Sequence, residues 1–357
     1  MVTTISALKV GCGKFFHGKN MISLLPKEIL RLGGKALIVG GPGSIDRVMP
    51  LISKDLETEG IEFTVYKHTD QCTTAWAHKY AEIAIEKGYS VLVAIGGGKC
   101  MDEVKCASIF SDLPVITVPT SVATCAATSM VAIMYDEIGR RAPAFKLKKE
   151  VDVCIADEDF IAFAPRRMLA AGILDSIAKY PESIHQKPST NYQDCALNEY
   201  IQIINSKAIY DFLTSEGRDL YANVGQAKRF KDVILTNLLH TSIVSGFADG
   251  SGQLAIAHGT YDFMRNFFTK ECADKLHGEI VAVGVIIQMV FNQAPEKDLQ
   301  KIIDLMTAFE MPLTMSDLGF TATQENIDLF MRELIHAASI KTDTEKEALE
   351  KGIRRAL

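Results

Sequence analysis

Two stretches in the first third of the chain have the composition of a phosphate cradle. Gly96-Gly97-Gly98-Lys99 follows the apolar run Ser90–Ile95 and opens the helically spaced segment KCMDEVKCASIF. Glycines at such a turn let backbone amides approach a pyrophosphate, and the N-terminus of the following helix adds a favourable dipole. The spacing is neither G-x-G-x-x-G nor GxxxxGK[ST], so neither the Rossmann fingerprint nor the Walker A loop applies. A triple glycine alone is equally compatible with a tight turn that binds nothing. The second turn, Pro119-Thr120-Ser121, ends another apolar run and strengthens the cofactor reading. Asp102 and Lys105 fall in the first turns after the glycines; a solvated i,i+3 pair is their plain reading.

The elements that would position these loops alternate. Residues 5–16 read as an edge strand and a turn, and 21–32 as a helix ended by Gly33-Gly34. KALIVGG, IEFTVYKH, SVLVAIGGG and PVITVPT read as strands, with helices over 46–58, 73–87 and 99–110 between them. This alternation predicts an α/β, doubly wound parallel sheet, with ligands beyond the carboxyl ends of its strands. Gly41, Gly96–Gly98 and Thr120 all fall at that end. After Pro165 helical periodicity takes over, in segments 166–180, 190–215, 229–247, 252–268, 279–293, 297–308, 323–338 and 343–356. We therefore expect two domains, an α/β nucleotide-binding domain over 1–163 and an all-α domain over 164–357.

Composition excludes several classes. The 357 residues carry a net charge of −6 and no dense Lys/Arg block, which argues against nucleic-acid and anionic-membrane partners. The longest apolar runs, such as Ile280–Ile287, are far short of the roughly 18 residues of a membrane span. The N-terminus lacks a basic segment followed by an apolar one, so no signal peptide is expected and a cytoplasmic location is. The eight cysteines show no Cys-x-x-Cys spacing and read as reduced thiols. His17, His68, His78, His185 and His336 read as surface residues, His240 as a helical residue that could face the cleft, and Trp76 as a packing residue.

GGGKCMDEVK followed by VPTSVATCAATSMVAIMY resembles the glycerol dehydrogenase branch of the iron-containing alcohol dehydrogenase family, and the resemblance extends over nearly the whole chain. It implies an N-terminal nucleotide-binding domain and a C-terminal helical domain, the dehydroquinate-synthase-like architecture. It also implies NAD or NADP as cofactor. Gly97, Gly98, Lys99 and Asp102 would line the pyrophosphate; Thr120, Ala123, Ser129, Val131 and Tyr135 would line the adenosine and nicotinamide side. One divalent metal would be held by Asp175 in AGILD, His258 in AIAH and His277 in HGEIVA. Taken singly, these three read as a surface carboxylate and two satisfied histidines at helix ends. Two imidazoles and a carboxylate leave open positions, as a catalytic zinc site requires. Members that use iron carry a further His four residues after the Asp; Lys179 stands there, which favours zinc over iron. Members of this family are commonly dimers or octamers, so a homo-oligomer is expected.

One departure bears on the substrate. Glycerol dehydrogenases have an Asp in the loop after the PT turn, where this chain has Cys125 in ATCAA. A thiol is a poor acceptor for substrate hydroxyls and brings no charge. With Lys179 one turn after Asp175, this also resembles the hydroxycarboxylate dehydrogenase members, which act on 2-oxo acids. The plain alternative is a packing Cys125 and a solvated Lys179. The substrate is thus a small alcohol, ketone or 2-oxo acid. The strand KALIVGG ends near Gly41 without the acidic residue that favours NAD, which leaves NADP open. Lys67 or His68 could reach its extra phosphate. A dehydroquinate-synthase-like lyase would need a Lys/Arg cluster beside His258 and His277, and none is evident. A non-catalytic oligomeric binding protein would be expected to have lost a metal ligand.

Overall fold

The computed structural model describes residues 10–187, 189–247 and 255–357. Its first part builds the sheet. β1 (Cys12–Gly18) is followed by α1 (Leu25–Arg31), β2 (Lys35–Gly40), α2 (Pro42–Thr58) and β3 (Glu62–Lys67). Next come α3 (Thr74–Glu86), β4 (Val91–Gly96), α4 (Gly98–Ser111) and β5 (Val115–Pro119). A two-residue antiparallel pair, β6 (Val131–Ala132) with β7 (Phe145–Lys146), precedes β8 (Val151–Asp157). Part of the strand expected over 5–16 lies outside the described residues; β1 begins at Cys12.

The six long strands are all parallel, in the order β1-β8-β5-β4-β2-β3. β2 and β4 are buried along nearly their whole length, as their continuous apolar runs require of a sheet covered on both faces. The apolar faces of α1 and α2 pack on one side, with Leu25, Ile29, Ile45, Val48 and Ile52. Ala77, Tyr80, Met101 and Val104 of α3 and α4 pack on the other. The chain therefore changes direction between β2 and β4, and the crevice at that switch point lies between Gly41 and Gly97. Register aligns Gly40 with Ile95 and Gly96 with Pro119, so the glycine turns and the PT turn share one edge.

β8 is the strand that sequence reading passed over. Its acids are satisfied locally: Asp152 accepts from the Val115 amide at 3.0 Å, and Asp157 accepts from Ile22 and Asp159 at 3.0 Å each.

Among the described residues every later element is helical. α5 (Glu158–Phe163), α6 (Arg166–Ser183), α7 (Leu197–Ala222), α8 (Phe230–Leu235) and α9 (Thr241–Phe247) come first, with a π turn at Thr236–His240. They are followed by α10 (Ile256–Phe267), α11 (His277–Phe291), α12 (Glu296–Ala308), α13 (Gln324–Ala337) and α14 (Asp343–Ala356). α11 is apolar on all sides and almost fully buried, the character of a central helix; α6, α10 and α14 pack around it. Among the described residues no helix is long and apolar enough to cross a membrane. All eight cysteines are free.

Candidate active site

A cavity of about 780 Å³ opens between the carboxyl edge of the sheet and the helices α6, α10 and α11. On the sheet side its wall contains Gly41, Gly96, Gly97, Gly98, Lys99, Asp102, Ser121, Ala123, Cys125, Ser129, Val131 and Tyr135. On the helical side it contains Asp175, Lys179, His258 and His277. Of the residues expected to hold cofactor, substrate or metal, Thr120 and Lys67 are off this wall; Thr120 Oγ1 lies 3.0 Å from Ser44 Oγ.

The glycine turn feeds directly into α4, whose first residue is Gly98, so free amides face the cavity at a helix N-terminus. Lys99 Nζ donates to Gln71 Oε1 at 2.7 Å and lies 5.5 Å from the centre of the Tyr135 ring. Asp102 and Lys105 are not a solvated pair. Lys105 is fully buried, 2.9 Å from Asp102 Oδ1, and donates to Ser129 O, Ser129 Oγ and Val131 O. Its ammonium thereby ties the 129–131 segment to α4 and holds the far side of the cavity in place.

Asp175, His258 and His277 come from three different helices, and their ligand atoms all lie within 4.8 Å of one another. Each imidazole Nε2 stands 3.3 Å from Asp175 Oδ1. That oxygen is buried and makes no hydrogen bond. Donor atoms about 2.1 Å from a tetrahedral ion lie about 3.4 Å apart, so the two spacings to Asp175 suit one shared divalent ion. The orphaned oxygen is the group such an ion would satisfy.

Charge explains the differences among the three. Burial would raise Asp175, yet His277, His258 and Lys179 hold it well below the usual carboxylate range. Burial pushes His277 down, and Asp175 restores it only in part. Burial acts the same way on His258, but the Glu182 and Asp175 carboxylates together outweigh it and raise the ring to about 9.

Lys179 is not solvated. It is 3% exposed, and its Nζ lies 3.3 Å from His258 Nε2. Cys125 is pushed by burial up to about 11, so its thiol is neutral, while Lys179 pulls it back in part.

Several cavity residues had no sequence signal. Arg141 pairs with Asp262 at 3.2 Å, and Tyr135 OH meets Tyr261 OH at 2.6 Å. His68 is not a surface residue: it packs edge-on to Trp76, contacts Tyr80 OH at 2.7 Å and lies 3.3 Å from Glu103. His185 is also half-buried, against Phe291 and the Ala338 carbonyl. His240 is exposed and is not on the cavity wall. Glu182 lies seven residues after Asp175 on the same face of α6, and that spacing is the signal that could have found it.

Comparison with known proteins bears on the whole chain. Residues 12–158 match the family model described as iron-containing alcohol dehydrogenase. Glycerol dehydrogenase from Pseudomonas putida is 26% identical over 333 residues, covering 93% of this chain and 90% of that protein. Hydroxycarboxylate dehydrogenase A from Escherichia coli (strain K12) is 26% identical over 243 residues, covering 66% of each. A crystal structure of a probable glycerol dehydrogenase from Sinorhizobium meliloti 1021 shares the fold, with a TM-score of 0.81, 21% identity, and 98% and 99% of the two chains covered. With the glycine turn, the parallel sheet and the helical half all in place, the chain is similar over nearly its whole length to glycerol dehydrogenases, and its first half matches the iron-containing alcohol dehydrogenase family.

Proposed function

We propose that this protein is a metal-dependent oxidoreductase that moves a hydride between NAD or NADP and a small alcohol or its carbonyl. The observation that carries this reading is the convergence of Asp175, His258 and His277 on the wall of the cavity that Gly96–Gly98 and Lys99 also line. Residues 1–163 would bind the cofactor and 164–357 the metal. A divalent ion on these ligands supplies Lewis-acid polarisation of the substrate oxygen, and the nicotinamide supplies the hydride acceptor. The chain's own residues do the rest. Amides at the start of α4 hold the pyrophosphate, and Lys99 neutralises it. No acid stands at the end of β2, and a Cβ at Gly41 would meet nothing within 4 Å, which leaves room for the NADP phosphate. Zinc is the metal proposed, because Lys179 occupies the place of the additional iron ligand.

A second reading concerns the substrate. Lys179 presents a buried cation beside His258, and Cys125 adds no negative charge opposite it. This favours a 2-hydroxy acid, whose carboxylate Lys179 would take, and one relative is named a hydroxycarboxylate dehydrogenase. The test is a panel of polyols, hydroxyaldehydes and 2-oxo acids, run on zinc-loaded and iron-loaded protein with NADH and NADPH. Absence of turnover across the panel refutes the oxidoreductase reading. If the 2-oxo acids lead, Lys179→Ala should raise their KM at least about tenfold, the loss of one partner of a buried charge pair, and leave neutral carbonyls less affected.

A further inference from the structure

α6 presents Asp175, Lys179 and Glu182 at i, i+4 and i+7, one face of one helix. Asp175 belongs to the proposed metal centre. The Glu182 side chain is fully buried and spends both oxygens on a single residue of another helix. Oε1 accepts the backbone N–H of His258 at 2.9 Å, and Oε2 pairs with its ring Nδ1 at 2.6 Å. The two contacts do different things. His258 is the third residue of α10, so its amide has no partner within the helix, and Ala255 at the N-cap offers no side-chain acceptor. Glu182 therefore caps α10 from outside, with its charge at the favourable end of the helix. The ring contact makes Nδ1 the donor, so the nitrogen left to give up its proton to a metal ion is Nε2, the atom that faces Asp175.

We infer that Glu182 is the positioning residue of the metal centre: it fixes the tautomer and orientation of His258 so that Nε2 points at Asp175 and His277. This rests on the metal reading given above. The fold supplies its own control. Gln288 of α11 caps the same helix end, accepting the Ile256 amide on Oε1 at 2.9 Å, while its Nε2 faces His185 and Asn292 rather than hydrogen-bonding the ring of His258. Gln288 thus shares the capping role of Glu182 but not the orienting one.

The experiment measures zinc affinity by competition with a chromophoric chelator, and the absorption spectrum of the cobalt-substituted protein. Wild type, Glu182→Gln, Glu182→Ala and Gln288→Ala are compared, with a thermal melt of each metal-free protein. Both Glu182 variants should bind zinc about 10- to 100-fold more weakly, the usual effect of losing such a partner. The cobalt spectrum of Glu182→Gln should shift. This variant keeps the shape and one acceptor oxygen, so a folded sample remains if Glu182→Ala does not fold. Gln288→Ala should melt earlier yet keep wild-type zinc affinity. Wild-type affinity in both Glu182 variants overturns the inference while leaving the metal centre intact. So does a Gln288→Ala loss as large as that of Glu182→Ala, because capping alone would then explain both. A wild-type protein that binds no zinc or cobalt refutes the metal centre itself.

Discussion

Glu103 is a carboxyl group placed where its charge costs stability. It is 1% exposed on α4; burial raises it to about 8, offset only in part by the Thr73 amide. Between the ordinary carboxyl value of 4.5 and about 8, the folded protein keeps a proton that the unfolded chain has released. The native state then binds more protons, so stability falls as pH rises through that window. Glu103→Gln should remove the slope: melting points close to wild type near pH 5 and several degrees higher near pH 9, read by calorimetry across that range. Parallel curves for the two proteins would show that Glu103 does not titrate there. Cys125 and Lys179 teach a related lesson. Their types were plain in the sequence, but whether the lysine was solvated or buried was not, because exposure depends on which helix face the fold covers.

The helices meet at glycines that no side chain could replace. A Cβ on Gly172 of α6 would sit 1.8 Å from the Val122 carbonyl, and one on Gly278 of α11 would sit 1.9 Å from the Ala171 carbonyl. These two contacts seat α6 between the loop after β5 and the start of α11, one residue from His277. Arg167 then pins that start, placing its guanidinium on the Glu279 carboxylate, which in turn accepts the Leu276 amide at 2.8 Å. The motif glycines are thus the spacers that let Asp175, His258 and His277 converge. Gly278→Ala should cost about 3 kcal/mol, the upper end of the range for overpacking, and lower metal content together with stability. Gly43→Ala, at a position with nothing within 4 Å, should be neutral or slightly stabilising. Denaturant titration with metal analysis of the folded fraction distinguishes the two. A tolerated Gly278→Ala would mean that α11 can slide without losing the site.

The proposed ligand set joins α6, α10 and α11, while the proposed cofactor wall comes from the sheet edge and α4, so occupancy of the cavity bears on the stability of the molecule as a whole. A ligand that binds only the folded state at 100 times its dissociation constant stabilises by about 2.7 kcal/mol. For a chain of this size that corresponds to a rise in melting temperature of about 4 °C. Zinc added to chelator-treated wild type should give a shift of that order, and the same addition to His258→Ala should give none. An equal shift in the variant would place the zinc elsewhere. Scanning fluorimetry with and without chelator reads the difference.

What the sequence could determine was local. A glycine turn after a buried strand and before a helix carries its own chemistry, and alternating periods of two and 3.6 residues name an α/β half followed by a helical half. β8 escaped this reading because acids interrupt its apolar run, and only the folded chain shows that each acid is satisfied by a backbone amide. The proposed metal ligands lie on helices that start at Arg166, Ile256 and His277, spacings that carry no signal of their own. Their recognition needed motifs matched as a set, and their convergence needed the glycine contacts between helices. Glu182 shows the limit most clearly. Its place on the face of α6 was written in a seven-residue spacing, but its target, the ring and amide of His258, exists only once α10 has packed against α6. A buried carboxylate chooses its partners through tertiary contact, and the tertiary structure alone decided this one.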